Sequence, residues 1–200
     1  EFRRVLFRSD LCGHATLATA WVLIHKLDDA SPVLRFATRS GELSVRREGD
    51  SLAMDFPAKR PEPCATPDGL LEALGIAEAE VLKTDDYLVV VDDEKTIAAL
   101  APDFARLKGL PCRGVAVTAR SQRFDFVSRW FGPNVGVNED PVTGSAHTSL
   151  APYWAQRLGK TRLSAEQGGA RKGRLECDVR GERVVISGKA ALYMSGTLHL

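Results

Sequence analysis

The sequence predicts an α+β fold made of two similar halves facing one another. Three observations carry this reading. First, Gly13-His14-Ala15 and Gly144-Ser145-Ala146 each open an apolar, helix-like run. Second, each run is followed by a hairpin pattern. Gly41 to Glu48 precedes Gly49-Asp50 and Ser51 to Phe56, and Gly173 to Arg180 precedes Gly181-Glu182 and Arg183 to Ser187. A glycine paired with an acid between two alternating runs is a hairpin signal. Third, the offset from Gly13 to Gly144 matches that from Gly41 to Gly173 to within one residue. Two copies at so long a spacing exclude a solenoid, which needs more and shorter repeats.

The elements follow in order. Residues 14–27 form a helix that is apolar nearly all round over 15–24, so it should be enclosed. Strands are predicted at Val33 to Ala37, Glu42 to Arg46 and Leu52 to Phe56. Pro57, Pro61, Pro63 and Pro67 mark a loop. A short helix runs from Asp68 to Leu74 and stops at Gly75. Asp85-Asp86 leads into a buried strand over Tyr87 to Val91, and Asp92 or Asp93 caps a helix from Glu94 to Leu100. Ala105 to Leu110 reads as a helical turn, and Val115 to Ala119 and Phe124 to Phe131 as strands. The second apolar helix spans Ser145 to Leu158 and ends at Gly159. Pro152 should kink it or mark a shifted start. Strands at Leu163 to Gln167, Arg174 to Val179, Val184 to Ser187 and Ala190 to Leu198 complete the sheet.

Composition narrows the function. An apolar fraction of 44% supports real cores in 200 residues. A net charge of +1, with acids and bases interspersed, argues against a nucleic-acid surface. No apolar run is long enough to span a membrane, and no signal-peptide pattern is present. Cys12, Cys64, Cys112 and Cys177 are scattered without a CxxC pair. Neither a zinc site nor a disulfide framework is indicated, and a reducing cytoplasmic setting is expected. No glycine fingerprint for a nucleotide and no metal-ligand spacing occurs, so no cofactor is expected.

The chemistry concentrates in residues 137–150, Val-Asn-Glu-Asp-Pro-Val-Thr-Gly-Ser-Ala-His-Thr-Ser-Leu. Pro141 stiffens the backbone after Asp140, and the following residues turn into a helix start. Backbone N–H groups at such a start favour anions. Asp140 therefore reads as a site carboxylate, or as an acid that only complements the helix dipole. Its neighbour Glu139 reads equally as structural or functional. Ser145 can donate to a substrate carboxylate, or cap the helix. Thr143 could cap instead and release Ser145. Gly13 and Gly144 would let the backbone approach a ligand. His14 occupies the position equivalent to Ser145 and titrates near neutrality. His147 could line the site or pack; His25 and His199 are read as structural. Trp21, Tyr153 and Trp154 are read as packing. Val-Thr-Gly-Ser-Ala is not a nucleophile elbow, which disfavours a serine hydrolase.

Leu-Cys-Gly-His-Ala-Thr-Leu-Ala and Glu-Asp-Pro-Val-Thr-Gly-Ser-Ala-His resemble the signatures of the PhzF-like (phenazine biosynthesis) family. That family is related to diaminopimelate epimerase and proline racemase. Thr38-Arg39-Ser40-Gly41 and Phe126 to Pro133 are similar to further family segments. The resemblance implies two domains, each a β-barrel-like sheet around a central helix, with the active site in the cleft between them. It implies a cofactor-free isomerase that shifts a proton on a small unsaturated or amino carboxylic acid, acting as a homodimer. Catalytic roles then fall to His14, Asp140 and Ser145, and substrate binding to Gly13, Thr143 and Gly144. The family's principal acid/base, a glutamate, lies upstream of the first motif, where no residue of this chain takes that role. Cys12 sits where the racemase relatives carry a thiol, but the second motif holds no cysteine, which disfavours a two-thiol mechanism.

The expected layout is an incomplete N-terminal domain over residues 10–80 and a C-terminal domain over 81–200, with the boundary between Gly75 and Thr84. Residues 1–9 read as the translation of a sequencing adapter; the alternative is a genuine basic, aromatic strand. The alternative function is a non-catalytic binding protein for small acids.

Overall fold

The computed structural model describes residues 13–38 and 41–197. Cys12, the adapter-like residues 1–9 and His199 lie outside them. The fold is α+β, with one mixed sheet and five α-helices among the described residues.

Helix α1 (Gly13–Lys26) leads into β1 (Val33–Thr38), β2 (Gly41–Glu48) and β3 (Ser51–Pro57). A short β4 (Glu62–Pro63) precedes α2 (Leu70–Leu74), β5 (Glu80–Lys83) and β6 (Tyr87–Val90). Next come α3 (Glu94–Ala99), α4 (Phe104–Leu107), β7 (Val115–Arg120) and β8 (Phe126–Gly132). Asp93 caps α3, its Oδ1 accepting from Thr96 N at 2.8 Å. A 3-10 turn at Pro133–Val135 connects to β9 (Val137–Asp140), and α5 (Gly144–Leu158) follows. The hairpin strands β10 (Arg162–Gln167), β11 (Gly173–Arg180) and β12 (Arg183–Gly188) close the list.

The two predicted hairpins form as read, with left-handed glycines at both turns: Gly49 and Gly181, each at φ 60°. They also meet. β3 and β12, the second strand of each hairpin, pair antiparallel with Met54 opposite Ile186 and Phe56 opposite Val184. The sheet order is β1-β2-β3-β12-β11-β10-β8-β7-β6-β5-β4, so the two hairpin units stand back to back about the β3–β12 pair. β5 falls inside the segment expected as a boundary and pairs with both β4 and β6.

Three readings need correction. The helix expected to be enclosed is α1, yet only Ala20 and Ile24 are buried in it, because β3 and α5 cover one side. The enclosed helix is α5, buried continuously from Ala146 to Trp154. Residues 190–197 form no strand, although Ala190 to Leu198 was predicted as one. Both edges of the preceding β12 are already taken, by β11 and β3, and Tyr193 and Met194 are exposed. Finally, Pro152 neither breaks α5 nor shifts its start. The carbonyl that a proline leaves without a donor is that of Thr148, four residues earlier. Here it accepts from the Lys59 amide at 2.9 Å, so the proline is accommodated by a neighbouring loop.

Candidate active site

The site is built where β9 turns into α5. Asp140 closes β9 opposite Trp130 of β8. Its Oδ2 accepts from the Thr143 hydroxyl at 2.8 Å, and Val142 N lies 3.4 Å from Oδ1. Gln167, fully buried on β10, locks the same turn. Its Nε2 donates to Asp140 O at 2.7 Å and to Thr143 Oγ1 at 2.9 Å, and its Oε1 accepts from Thr143 N at 3.0 Å. Thr143 stands at the cap position of α5, but no side chain caps that helix. The Thr143 hydroxyl is spent on Asp140, not on the helix.

Ser145 is half-buried in the first turn of α5. It accepts at Oγ from Arg113 Nη1 at 2.9 Å. Arg113 is in turn gripped by Asp86. Its Nε donates to Oδ1 at 2.8 Å, and its Nη2 donates to Oδ2. The Trp130 indole N–H donates to the same Asp86 Oδ2 at 2.9 Å, and the guanidinium lies 5.3 Å from the Trp130 ring centre. Burial pulls the Arg113 pKa down. The hydrogen bonds and charge of Asp86, with Asp85 and Asp140 adding, leave it above the usual value, so the side chain is a fixed cation. Gly114 and Gly132 make room for the indole, because a Cβ on either would run into it.

The predicted residues divide as follows. Asp140, Thr143, Gly144 and Ser145 come together on one turn. A Cβ on Gly144 would meet nothing within 4 Å, so its surroundings are open. Gly13 and His14 open α1, which packs beside α5; His14 is exposed there, and Gly13 lies over Met54 and Phe56 of β3. Glu139 is structural. It takes a bidentate pair from Arg129 at 2.8 Å to each oxygen, and Arg129 also donates to the carbonyls of Ile97 and Leu100. His147 is core. It is fully buried, its Nδ1 lies 2.9 Å from Thr143 O, and burial holds its pKa down at about 4. Sequence reasoning missed Arg113, Asp86 and Gln167. Only the acid pair Asp85-Asp86 before a buried strand hinted at one of them.

A cavity of about 360 Å³ lies on the other face of β8, between α3 and the turn at 168–172. None of Asp140, Thr143, Gly144 or Ser145 lines it. Its acids are already engaged, Glu94 with Ser121 and Glu166 with Lys172, so it does not compete as the reaction centre. No cluster of potential metal ligands occurs among the described residues.

A family model described as phenazine biosynthesis-like protein matches residues 8–196. The chain belongs to the PhzF family. An uncharacterized isomerase of Pseudomonas aeruginosa is 52% identical over 191 residues, 95% of this chain and 73% of that relative. A PhzF-family protein of Enterococcus faecalis superposes with a TM-score of 0.92 at 44% identity, over 96% of this chain and 74% of that structure. At the level of fold alone, the PhzF chain also resembles a hydroxyproline epimerase from Agrobacterium vitis. There the TM-score is 0.53 at 12% identity, over 90% of this chain and 63% of that one. The fold is therefore shared in outline with an epimerase. No helix among the described residues is long and apolar enough to cross a membrane.

Proposed function

We propose that this PhzF-family chain is an isomerase that shifts a proton on a small unsaturated or amino carboxylic acid without a cofactor. One observation carries the reading. The Asp140 carboxylate is held by the Thr143 hydroxyl, and its backbone carbonyl by Gln167, beside a helix start that no side chain caps. Such a turn offers backbone N–H groups to a substrate carboxylate and holds a proton acceptor within a few ångströms of them. In this reading Gly144 and Gly13 leave space for the acid, and Ser145 donates to it. His14 and Asp140 line the substrate cleft. Drawing electron density into the bound carboxylate acidifies the adjacent carbon. A proton can then leave one carbon and return at another, and no redox change is involved. The isomerase name of the Pseudomonas relative agrees with this.

The test is a panel of small unsaturated and amino acids incubated with the protein in D2O and read by mass spectrometry. Deuterium uptake into one acid is expected. Tight binding of an acid with no uptake would replace the isomerase reading with that of a binding protein.

A further inference from the structure

The Asp86–Arg113–Ser145 chain has no role in the turn that holds Asp140, yet it ends in the same place. A guanidinium carries five N–H donors. Two are bound by Asp86 and one by Ser145. Two remain, and Arg113 keeps 34% of its side chain exposed while Asp86 is nearly closed off at 9%. Ser145 accepts from Arg113, so its own hydroxyl hydrogen is left for another acceptor. Among the described residues none takes it. The N–H groups of Gly144 and Ser145 in the first turn of α5 lie alongside, while that of Ala146 is bonded to Thr143 O at 3.1 Å. Uncommitted donors of three kinds thus converge next to Asp140, around a cation that cannot lose its proton.

We infer that Arg113 is the specificity-determining residue of the site: it reads a substrate carboxylate directly and aims the Ser145 hydroxyl at the same group. The inference rests on the proposed function and adds the feature by which a ligand is chosen. Bidentate capture by Asp86, with Trp130 on the same oxygen, fixes the guanidinium plane, and a planar fork held this way discriminates a carboxylate from a neutral isostere. Asp86 and Trp130 act through Arg113 and are positioning residues.

Two acid and amide pairs test it, sorbate against sorbamide and benzoate against benzamide, with affinities measured by ligand-observed NMR. The wild-type protein should prefer each acid, and Arg113→Gln should lose that preference by on the order of tenfold to a hundredfold, the range of a charged hydrogen bond. The single variant leaves Asp86 without its cation. The double variant Asp86→Asn/Arg113→Gln removes both charges and should fold, yet still fail to distinguish acid from amide. A merely structural Arg113 would weaken both ligands alike. Retention of the acid preference in both variants overturns the role of Arg113 and leaves the isomerase reading standing. Failure of the wild-type protein to bind any of the four probes overturns the reading of the turn as an acid site, and this inference with it.

Discussion

Gln167 offers the sharpest test of how the candidate site is held. It is fully buried, and its amide makes three hydrogen bonds to one turn. Replacement by leucine preserves much of the volume and removes all three. Thr143 N would then be stranded in the interior and the half-buried Asp140 O would lose its side-chain donor, while Thr143 Oγ1 keeps Asp140 as a partner. A buried polar group left unsatisfied costs about 1–3 kcal/mol. Thr143 N alone gives a loss of about 1–3 kcal/mol, a large share of the roughly 5–15 kcal/mol available to a typical domain. Urea unfolding followed by tryptophan fluorescence measures this. A loss below about 1 kcal/mol at unchanged slope would refute the clamp, because the stranded amide must then have found water.

Gln167→Glu refines the same argument. A carboxylate there can still accept from Thr143 N, but its second oxygen faces Asp140 O and Thr143 Oγ1 without a proton to give. The folded state should therefore raise the pKa of the new glutamate. The penalty is then absent below the unfolded value of about 4.3 and grows as pH rises above it. Stability of the variant should approach that of the wild type as the pH is lowered toward 4.

Three further outcomes are expected. His147 titrates at about 4 in the fold against an ordinary 6.5, so the unfolded chain binds the extra proton between those values. Its contribution is complete above pH 6.5 and is lost as pH falls toward 4, by about 3 kcal/mol, a pH dependence that His147→Phe should flatten in urea melts at pH 7 and 5. Glu139→Ala should cost about 3–5 kcal/mol by leaving Arg129 buried without its partner, whereas Asp140→Asn should change stability by less than about 1 kcal/mol. Reversal of that order in thermal or urea melts would mean the roles of the adjacent acids are exchanged. Gly114→Ala should destabilise by about 1–3 kcal/mol through collision with the Trp130 indole, detectable as a lowered melting temperature.

Much of the fold was legible because it is local. The Gly-Asp and Gly-Glu turns, the two glycine-led helix starts and the Asp93 cap are decided by residues close in sequence, and each formed where expected. The pairing of β3 with β12 was not legible, since Arg183 meets Pro57 across most of the chain and no local pattern encodes such a partner. The enclosure of α1 was overestimated for a related reason. An apolar sequence shows that a helix can be buried, not what buries it. At the site, Asp140 and Ser145 were readable from their motif. Arg113 and Asp86 precede β7 and β6, and Gln167 ends β10, so only the sheet brings them together and no spacing rule could have picked them. The competing roles of Glu139 and Asp140 were separated only by partners: Arg129 takes the first, and the Thr143 hydroxyl takes the second.

The central claim is a proton shift that needs Asp140 and no cofactor. Its most direct measurement is the rate of solvent deuterium uptake into a responsive acid, using protein exhaustively dialysed against chelator, for the wild type and Asp140→Asn side by side. The account predicts uptake undiminished by the dialysis and reduced by about a hundredfold or more in the variant. Uptake that requires an added metal or nucleotide, or that proceeds equally in both proteins, would contradict it.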